Sequence, residues 1–176
     1  MDQGRILLKL LLDEVDLGNL KLDGFSDRLC IQKKIYLVQI TGLDLGYRYN
    51  WYLRGPYCPS LTENVFLLRE EINNGEHDYE EYCLAEMAQN LIGKVKNLWA
   101  RPGNVSTEEP EWVEMLASMH YLKTIAYWPP SKDVTKEQVV QKLIETKPHF
   151  RDKNKLIDEA WERLQQFGLL DKKSLN

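Results

Sequence analysis

Histidine and cysteine are the side chains best suited to hold a metal or carry a nucleophile, and this chain has three of each: His77, His120 and His149, and Cys30, Cys58 and Cys83. They are scattered. No second His or Cys stands at ligand spacing from any of them, so a tetrahedral zinc site lacks its donors. An odd number of thiols with no close pair fits a reducing cytoplasm rather than a disulfide framework. The chain has no Gly-x-Gly-x-x-Gly, no phosphate-loop Gly-Lys-Ser/Thr and no His-Glu-x-x-His. Glu145-Thr146-Lys147, with Asp133 upstream, matches the acidic-x-Lys core of metal-dependent nucleases. The helical pattern there sets the two carboxylates near opposite ends of one helix, more than about 15 Å apart at a rise of 1.5 Å per residue, too far to share a cation. The acid pairs Glu70-Glu71, Glu80-Glu81 and Glu108-Glu109 are sequence neighbours, which do not face each other on a helix. The chain is therefore expected to be no enzyme and to carry no metal and no cofactor.

Charge and aromatic content point to binding instead. Residues 63–86 hold eight acids (Glu63, Glu70, Glu71, Glu76, Asp78, Glu80, Glu81, Glu86) and one base, Arg69. This surplus opposes phosphate docking and suits either solvation or a basic partner, for which complementarity acts mainly on association rate and specificity. Glu70 and Glu71 are candidate partner contacts. Tyr47, Tyr49, Trp51, Tyr52 and Tyr57 lie within eleven residues. With aromatics on both faces of one strand, Trp51 is assigned to the core, and Tyr52 and Tyr57 are left for a partner. From Lys132 onward ten bases meet eight acids, and two capped helices followed by Gly168-Leu169-Leu170 resemble the helical part of a winged helix. Lys142, Lys147, Arg151, Lys153 and Lys155 would be its phosphate contacts, which gives a DNA-binding regulator as the alternative function.

The elements that position these residues are mostly helical. Leu7, Leu8, Leu11, Leu12 and Val15 predict a first helix over 3–16, closed at Gly18-Asn19; its apolar run is too short for a membrane span and is followed by acids. A second helix, capped by Ser26 with Phe25 and Cys30 as a hydrophobic staple, runs to about residue 41 and leaves a narrow polar stripe at Gln32, Lys33 and Gln39. Between 47 and 54 the period changes from 3.6 to 2, predicting one strand that Gly55-Pro56 ends. Ser60 and Glu63 form a capping box for a third helix, closed by Asn73-Asn74-Gly75. Leu84, Met87, Leu91, Val95 and Leu98 predict a helix over 79–99 that tolerates Gly93. Pro110 opens a helix with an apolar face at Trp112, Met115, Leu116, Met119 and Leu122, which ends before Trp128-Pro129-Pro130. Thr135 and Gln138 cap the next helix, which Pro148 stops, and Leu156, Ile157, Ala160, Trp161 and Leu164 mark the last, with Gly168 beyond its end.

Two segments carry a resemblance. Ile31-Gln32-Lys33-Lys34-Ile35-Tyr36-Leu37-Val38-Gln39 and Trp51-Tyr52-Leu53-Arg54-Gly55-Pro56-Tyr57 resemble the Panacea antitoxin domain, also called SocA-like, and especially its YwgA-like branch. That pattern is a helix with Lys-x-x-Tyr-x-x-Gln followed by an aromatic strand ending in Gly-Pro, matched here by Lys33, Tyr36, Gln39, Trp51, Gly55 and Pro56. The match covers about residues 28–65. It implies a mostly helical, non-enzymatic domain that binds a protein, either neutralising a toxin encoded beside it or delivering a client to a protease. Here a tyrosine follows Gly55-Pro56, where the antitoxin branch more often has an aliphatic residue. Read physically, the polar ends of Lys33, Tyr36 and Gln39 lie on a nearly all-apolar helix and need partners. The turn at Gly55-Pro56 is the expected source, making the motif a structural clasp.

The chain of 176 residues, 43% hydrophobic and 10% aromatic, has material for a core that hides about 70% of its unfolded surface. Its net charge of −4 supplies no global field toward nucleic acid or membrane. The expected protein is mainly α, with one short β element. It comprises a helical domain over 1–128 and a C-terminal helical extension over 131–176, acting as a cytoplasmic interaction domain for a cognate toxin or client.

Overall fold

The computed structural model describes residues 1–125 and 133–171; the double proline Pro129-Pro130, expected as a boundary, lies outside them. The fold is mainly α, with seven α-helices and one two-stranded sheet among the described residues. The chain forms two compact units, Met1–Arg48 with Cys58–Asn97, and Tyr49–Tyr57 with the chain from Leu98 onward. Among the described residues no helix is long and apolar enough to cross a membrane.

In the first unit, α1 (Gln3–Glu14) is capped by the Asp2 carboxylate, which accepts from the Arg5 N–H at 2.9 Å. It stops two residues short of expectation, and Asp16 is left-handed at φ 63°. Helix α2 (Phe25–Ile40) begins one residue before Ser26, so Gly24 is its N-cap, and no side chain caps it. Phe25 is 56% exposed rather than buried in a staple. From Leu29 to Val38 every residue of α2 is buried, Gln32, Lys33 and Lys34 included. Helix α3 (Pro59–Asn73) likewise starts ahead of its expected cap. Pro59 takes the first turn, where its fixed φ is preorganised, so Ser60 is already helical and no side-chain cap forms.

The helix expected over 79–99 exists only as α4 (Glu86–Trp99). Ahead of it, Asp78–Glu81 forms a single 3₁₀ turn and Tyr82 is extended. Contacts with the α1 segment explain the break. The Lys9 ammonium lies 4.8 Å from the Tyr79 ring centroid, and the Met1 amino group donates to Glu76 at 2.9 Å and Asp78 at 3.0 Å. The shorter helix also turns its face: Ile92, Val95, Leu98 and Trp99 are buried, while Met87 is 83% exposed.

Two glutamines on α2 hold the chain where it leaves this unit and where it returns. Seven residues apart, they share one helix face. Gln39 accepts the Tyr47 N–H at 3.2 Å and donates to the Tyr47 carbonyl at 2.8 Å. Gln32 accepts the Cys58 N–H at 2.9 Å and donates to the Cys58 carbonyl at 2.8 Å and to Thr62 Oγ1 at 2.9 Å. The clasp expected between Gln39 and the Gly55-Pro56 turn is thus made to Tyr47, and Gln32 supplies a second that the motif did not include.

In the second unit, β1 (Asn50–Tyr52) and β2 (Gly55–Tyr57) form an antiparallel hairpin with Trp51 opposite Pro56. Gly55-Pro56 does not end a lone strand, as expected; it begins the return strand. Ladder bonds alternate along an antiparallel pair, so the middle position tolerates a proline, which has no N–H. Helix α5 (Glu109–Thr124) has Pro110 in its first turn and eleven consecutive buried residues, Trp112 to Leu122. Helix α6 (Lys136–Thr146) carries the expected Thr135–Gln138 capping box, and a 3₁₀ turn, Pro148–Phe150, follows it. Helix α7 (Asn154–Gln166) buries Leu156, Ile157, Ala160 and Leu164, and Gly168 beyond it takes φ 65°. Arg163 donates to the Leu98 and Ala100 carbonyls at 3.2 and 2.9 Å. The described residues after α7 contain no strand.

Replacing Gln32 by Leu orphans the N–H of buried Cys58, whose carbonyl keeps the Thr62 N–H at 3.4 Å, and an orphaned group costs about 1–3 kcal/mol. Urea denaturation should show a loss of that order. A Gln32→Leu protein that unfolds with the parent would mean that the clasp contributes nothing.

Candidate functional site

The hairpin is anchored on one side and bare at its tip. Trp51, half-buried, stacks on Tyr121 of α5 with ring centroids 5.7 Å apart, and the Tyr121 hydroxyl donates to the Tyr49 carbonyl at 3.3 Å. Gly55, at φ 85°, is pressed so closely against α5 that an added Cβ would fall 2.3 Å from Ser118 Oγ. Buried Lys147, at the end of α6, donates to the Tyr52 and Leu53 carbonyls at 3.0 and 2.7 Å while its ammonium sits 4.4 Å from the Trp51 ring centroid. The side chains of the same two tip residues point away: Tyr52 is 59% exposed and Leu53 75%. Tyr52 leans on half-buried Tyr57, with ring centroids 5.5 Å apart.

Behind the tip lies a charged cluster that sequence reading missed. Glu114, in the apolar run of α5, has a side chain only 3% exposed. Its Oε2 is 3.3 Å from Arg54 Nη1, its Oε1 is 3.1 Å from His149 Nε2, and Arg54 Nη1 and His149 Nε2 are 3.3 Å apart. A buried carboxylate is tolerable only when so paired. Burial pushes the Lys147 ammonium down to about 8, with Glu114 opposing the shift and Arg54 adding to it. His149 Nε2 lies within hydrogen-bond distance of Glu114 and Arg54. Among the described residues no three His, Cys, Asp or Glu side chains are grouped to hold a metal ion.

The candidates named from sequence fall in different places. Trp51, Gly55 and Pro56 come together in the hairpin; Lys33 and Tyr36 are buried on α2, and Gln39 clasps Tyr47. Glu70 is exposed on α3. Glu71 is held by Arg5, whose Nε lies 2.9 and 2.8 Å from its two oxygens. Of the cluster behind the tip, sequence reading names Lys147, as a phosphate contact and in the acidic-x-Lys triplet, and His149, as a histidine without a ligand partner. The signal for Arg54, Glu114 and His149 is a lone carboxylate inside the apolar run Trp112-Val113-Glu114-Met115-Leu116. Comparison with family models, with curated proteins and with solved structures gives no match.

Two measurements check this geometry. Gly55→Ala combines left-handed strain with the Ser118 clash and should lower stability by about 2–4 kcal/mol, of which strain supplies roughly 1–3. In a Ser118→Ala background the loss should shrink, and equal losses in both backgrounds would show that the clash is relieved elsewhere. For Lys147, whose ordinary value is 10.5, the folded value of about 8 means that between these pH values the unfolded chain holds a proton that the native chain has released. Stability from this group therefore rises with pH across that window, and the cost of burying the cation is fully present below it. The stability difference between parent and Lys147→Met should shift in the parent's favour from pH 8 to pH 10, and a flat difference contradicts the assignment.

Proposed function

We propose that this protein is a non-enzymatic binding domain for another protein and that its docking element is the hairpin tip. The observation that carries the reading is the contrast at residues 52 and 53, whose backbone is tied down by buried Lys147 while their side chains stand in solvent. Large apolar groups held in advance lose little freedom on association, and aromatic side chains are enriched among the residues that dominate binding energy. The resemblance of Lys33, Tyr36, Gln39, Trp51, Gly55 and Pro56 to the Panacea pattern supports a cognate toxin or a client as the partner, met in the cytoplasm.

The DNA-binding alternative has less support. Of its five expected phosphate contacts, Lys147 is buried under the hairpin, Lys142 pairs with Glu145 at 3.6 Å and Lys153 is bound to Glu111.

Co-expression with the product of the neighbouring gene tests the proposal. Tyr52→Ser with Leu53→Ser should weaken the complex by about 10- to 100-fold through a faster off-rate, each tenfold being about 1.4 kcal/mol, with the melting temperature unchanged. Glu70→Lys, on exposed α3, should act on association rate and salt dependence if the acidic segment takes part. Unchanged binding by the folded tip variant sinks the assignment, and a neighbour that never binds sinks the antitoxin reading.

A further inference from the structure

We infer that the partner meets this tip with an acidic side chain set beside its apolar contact, and that Arg54 is the residue that reads the acid. The inference rests on the tip being the docking element and goes beyond it by naming the partner's chemistry. Three consecutive residues, Tyr52, Leu53 and Arg54, form the exposed end of the hairpin. The cluster behind them sorts its charges by depth. Its one carboxylate, Glu114, is 3% exposed, whereas the Arg54 and His149 side chains are 47% and 36% exposed. Lys147 adds a second fixed cation against the same hairpin. One buried negative charge thus stands against two fixed positive ones and an imidazole, and what reaches solvent is the positive side.

Several other acids of this unit are already paired with cations of their own. Glu111 is bound by Lys153, Glu145 by Lys142 and Asp158 by Lys136. Exposed Arg151 and Asp152, next in sequence to the 3₁₀ turn, cancel. Glu114 acts as a positioning residue: by holding Nη1 of Arg54 it fixes a planar fork whose geometry matches a carboxylate. His149 braces the same carboxylate and is itself seated on buried Phe150, with ring centroids 4.2 Å apart. A guanidinium fixed beside two exposed apolar side chains is complementary to an acidic residue flanking an apolar one, and it repels a basic partner.

The test uses the full chain and a displayed library of random 12-residue peptides, selected in parallel on the parent protein, on Arg54→Gln and on the double variant Tyr52→Ser with Leu53→Ser. Peptides from the parent should be enriched in Asp or Glu next to Leu, Phe or Trp. Arg54→Gln should keep the apolar enrichment and lose the acidic one, an outcome that a merely structural role for Arg54 would not produce. In fluorescence polarisation, a peptide selected on the parent should bind Arg54→Gln at least about tenfold more weakly, in line with the coupling of close charge pairs. It should lose a similar factor when its acid is changed to Gln. If Arg54→Gln fails to fold, Arg54→Lys keeps a cation on Glu114 and should retain the acidic preference at lower affinity. An Arg54→Lys protein that takes neutral and acidic peptides alike overturns the inference. So does a parent pool that depends on Tyr52 and Leu53 but is enriched in Lys or Arg or has no charge preference, and in that case the tip remains the docking element. A pool that is empty or indifferent to the Tyr52/Leu53 change overturns the docking reading itself, and this inference with it.

Discussion

A buried peptide group without a hydrogen-bond partner costs as much as several good contacts supply, and this chain meets that constraint where it is hardest to satisfy, at the two ends of a short segment that packs apart from its flanks. Residues 49–57 belong to one compact unit while Arg48 and Cys58 belong to the other. Helices and sheets pair their own backbones; at this crossing the Cys58 carbonyl takes the Thr62 N–H at 3.4 Å, and the rest falls to side chains. The carboxamides of Gln39 and Gln32 close the gap, each presenting one donor and one acceptor to a single residue's N–H and C=O, at Tyr47 and Cys58. Glutamine suits the task because its side chain reproduces the peptide group it binds. The first unit's chain is therefore held at Tyr47 and again at Cys58.

The same constraint governs the far end of the hairpin. A two-residue turn has few partners of its own to offer its carbonyls, and Lys147 takes two of them. Placing an ammonium there is costly, as its lowered proton affinity records, and a buried Glu114 nearby is costly in its own right. An apolar filling of equal volume would stabilise the fold at least as well. It would not fix the direction of the turn, because dispersion contacts are tolerant of rotation whereas two hydrogen bonds from one nitrogen are not. Lys147 therefore sets the direction of the turn in a way that packing alone does not.

Local chemistry in the sequence specified the elements whose ends depend on neighbours in the chain. The Thr135–Gln138 box, Pro110 in a first turn and Gly168 in a left-handed stop are all met in the structure. Three caps or starts failed where a distant contact or an earlier start outweighed local preference. Ser26 and Ser60 were overtaken by earlier helix starts, and the stretch from Tyr79 to Ala85 was drawn out of helix while Lys9 engaged Tyr79. The aromatic strand and its exposed Tyr52 were legible from period and composition, whereas the return strand was not, because Gly55-Pro56 reads as a stop. The cluster behind it was not, because Arg54 and His149 stand 60 and 35 residues from Glu114 in sequence and nothing local marks a carboxylate as paired. Only its place in an apolar run hinted that Glu114 must find cations.

This distinction changes the weight of the two surfaces that composition singled out. The acidic surplus of residues 63–86 looks free in a count of charges. Part of it is committed inside the first unit: Glu71 to Arg5, and Glu76 with Asp78 to the amino group of Met1. A charge already neutralised contributes little to the field that a partner meets. The hairpin tip runs the other way. Its ion pair consumes the buried carboxylate and leaves the Arg54 guanidinium half in solvent, beside apolar side chains that stand mostly in water. Of the two surfaces, then, the one that counting favoured works in part to hold its own unit together, and the one with little net charge in the sequence presents a fixed guanidinium and two large side chains to solvent.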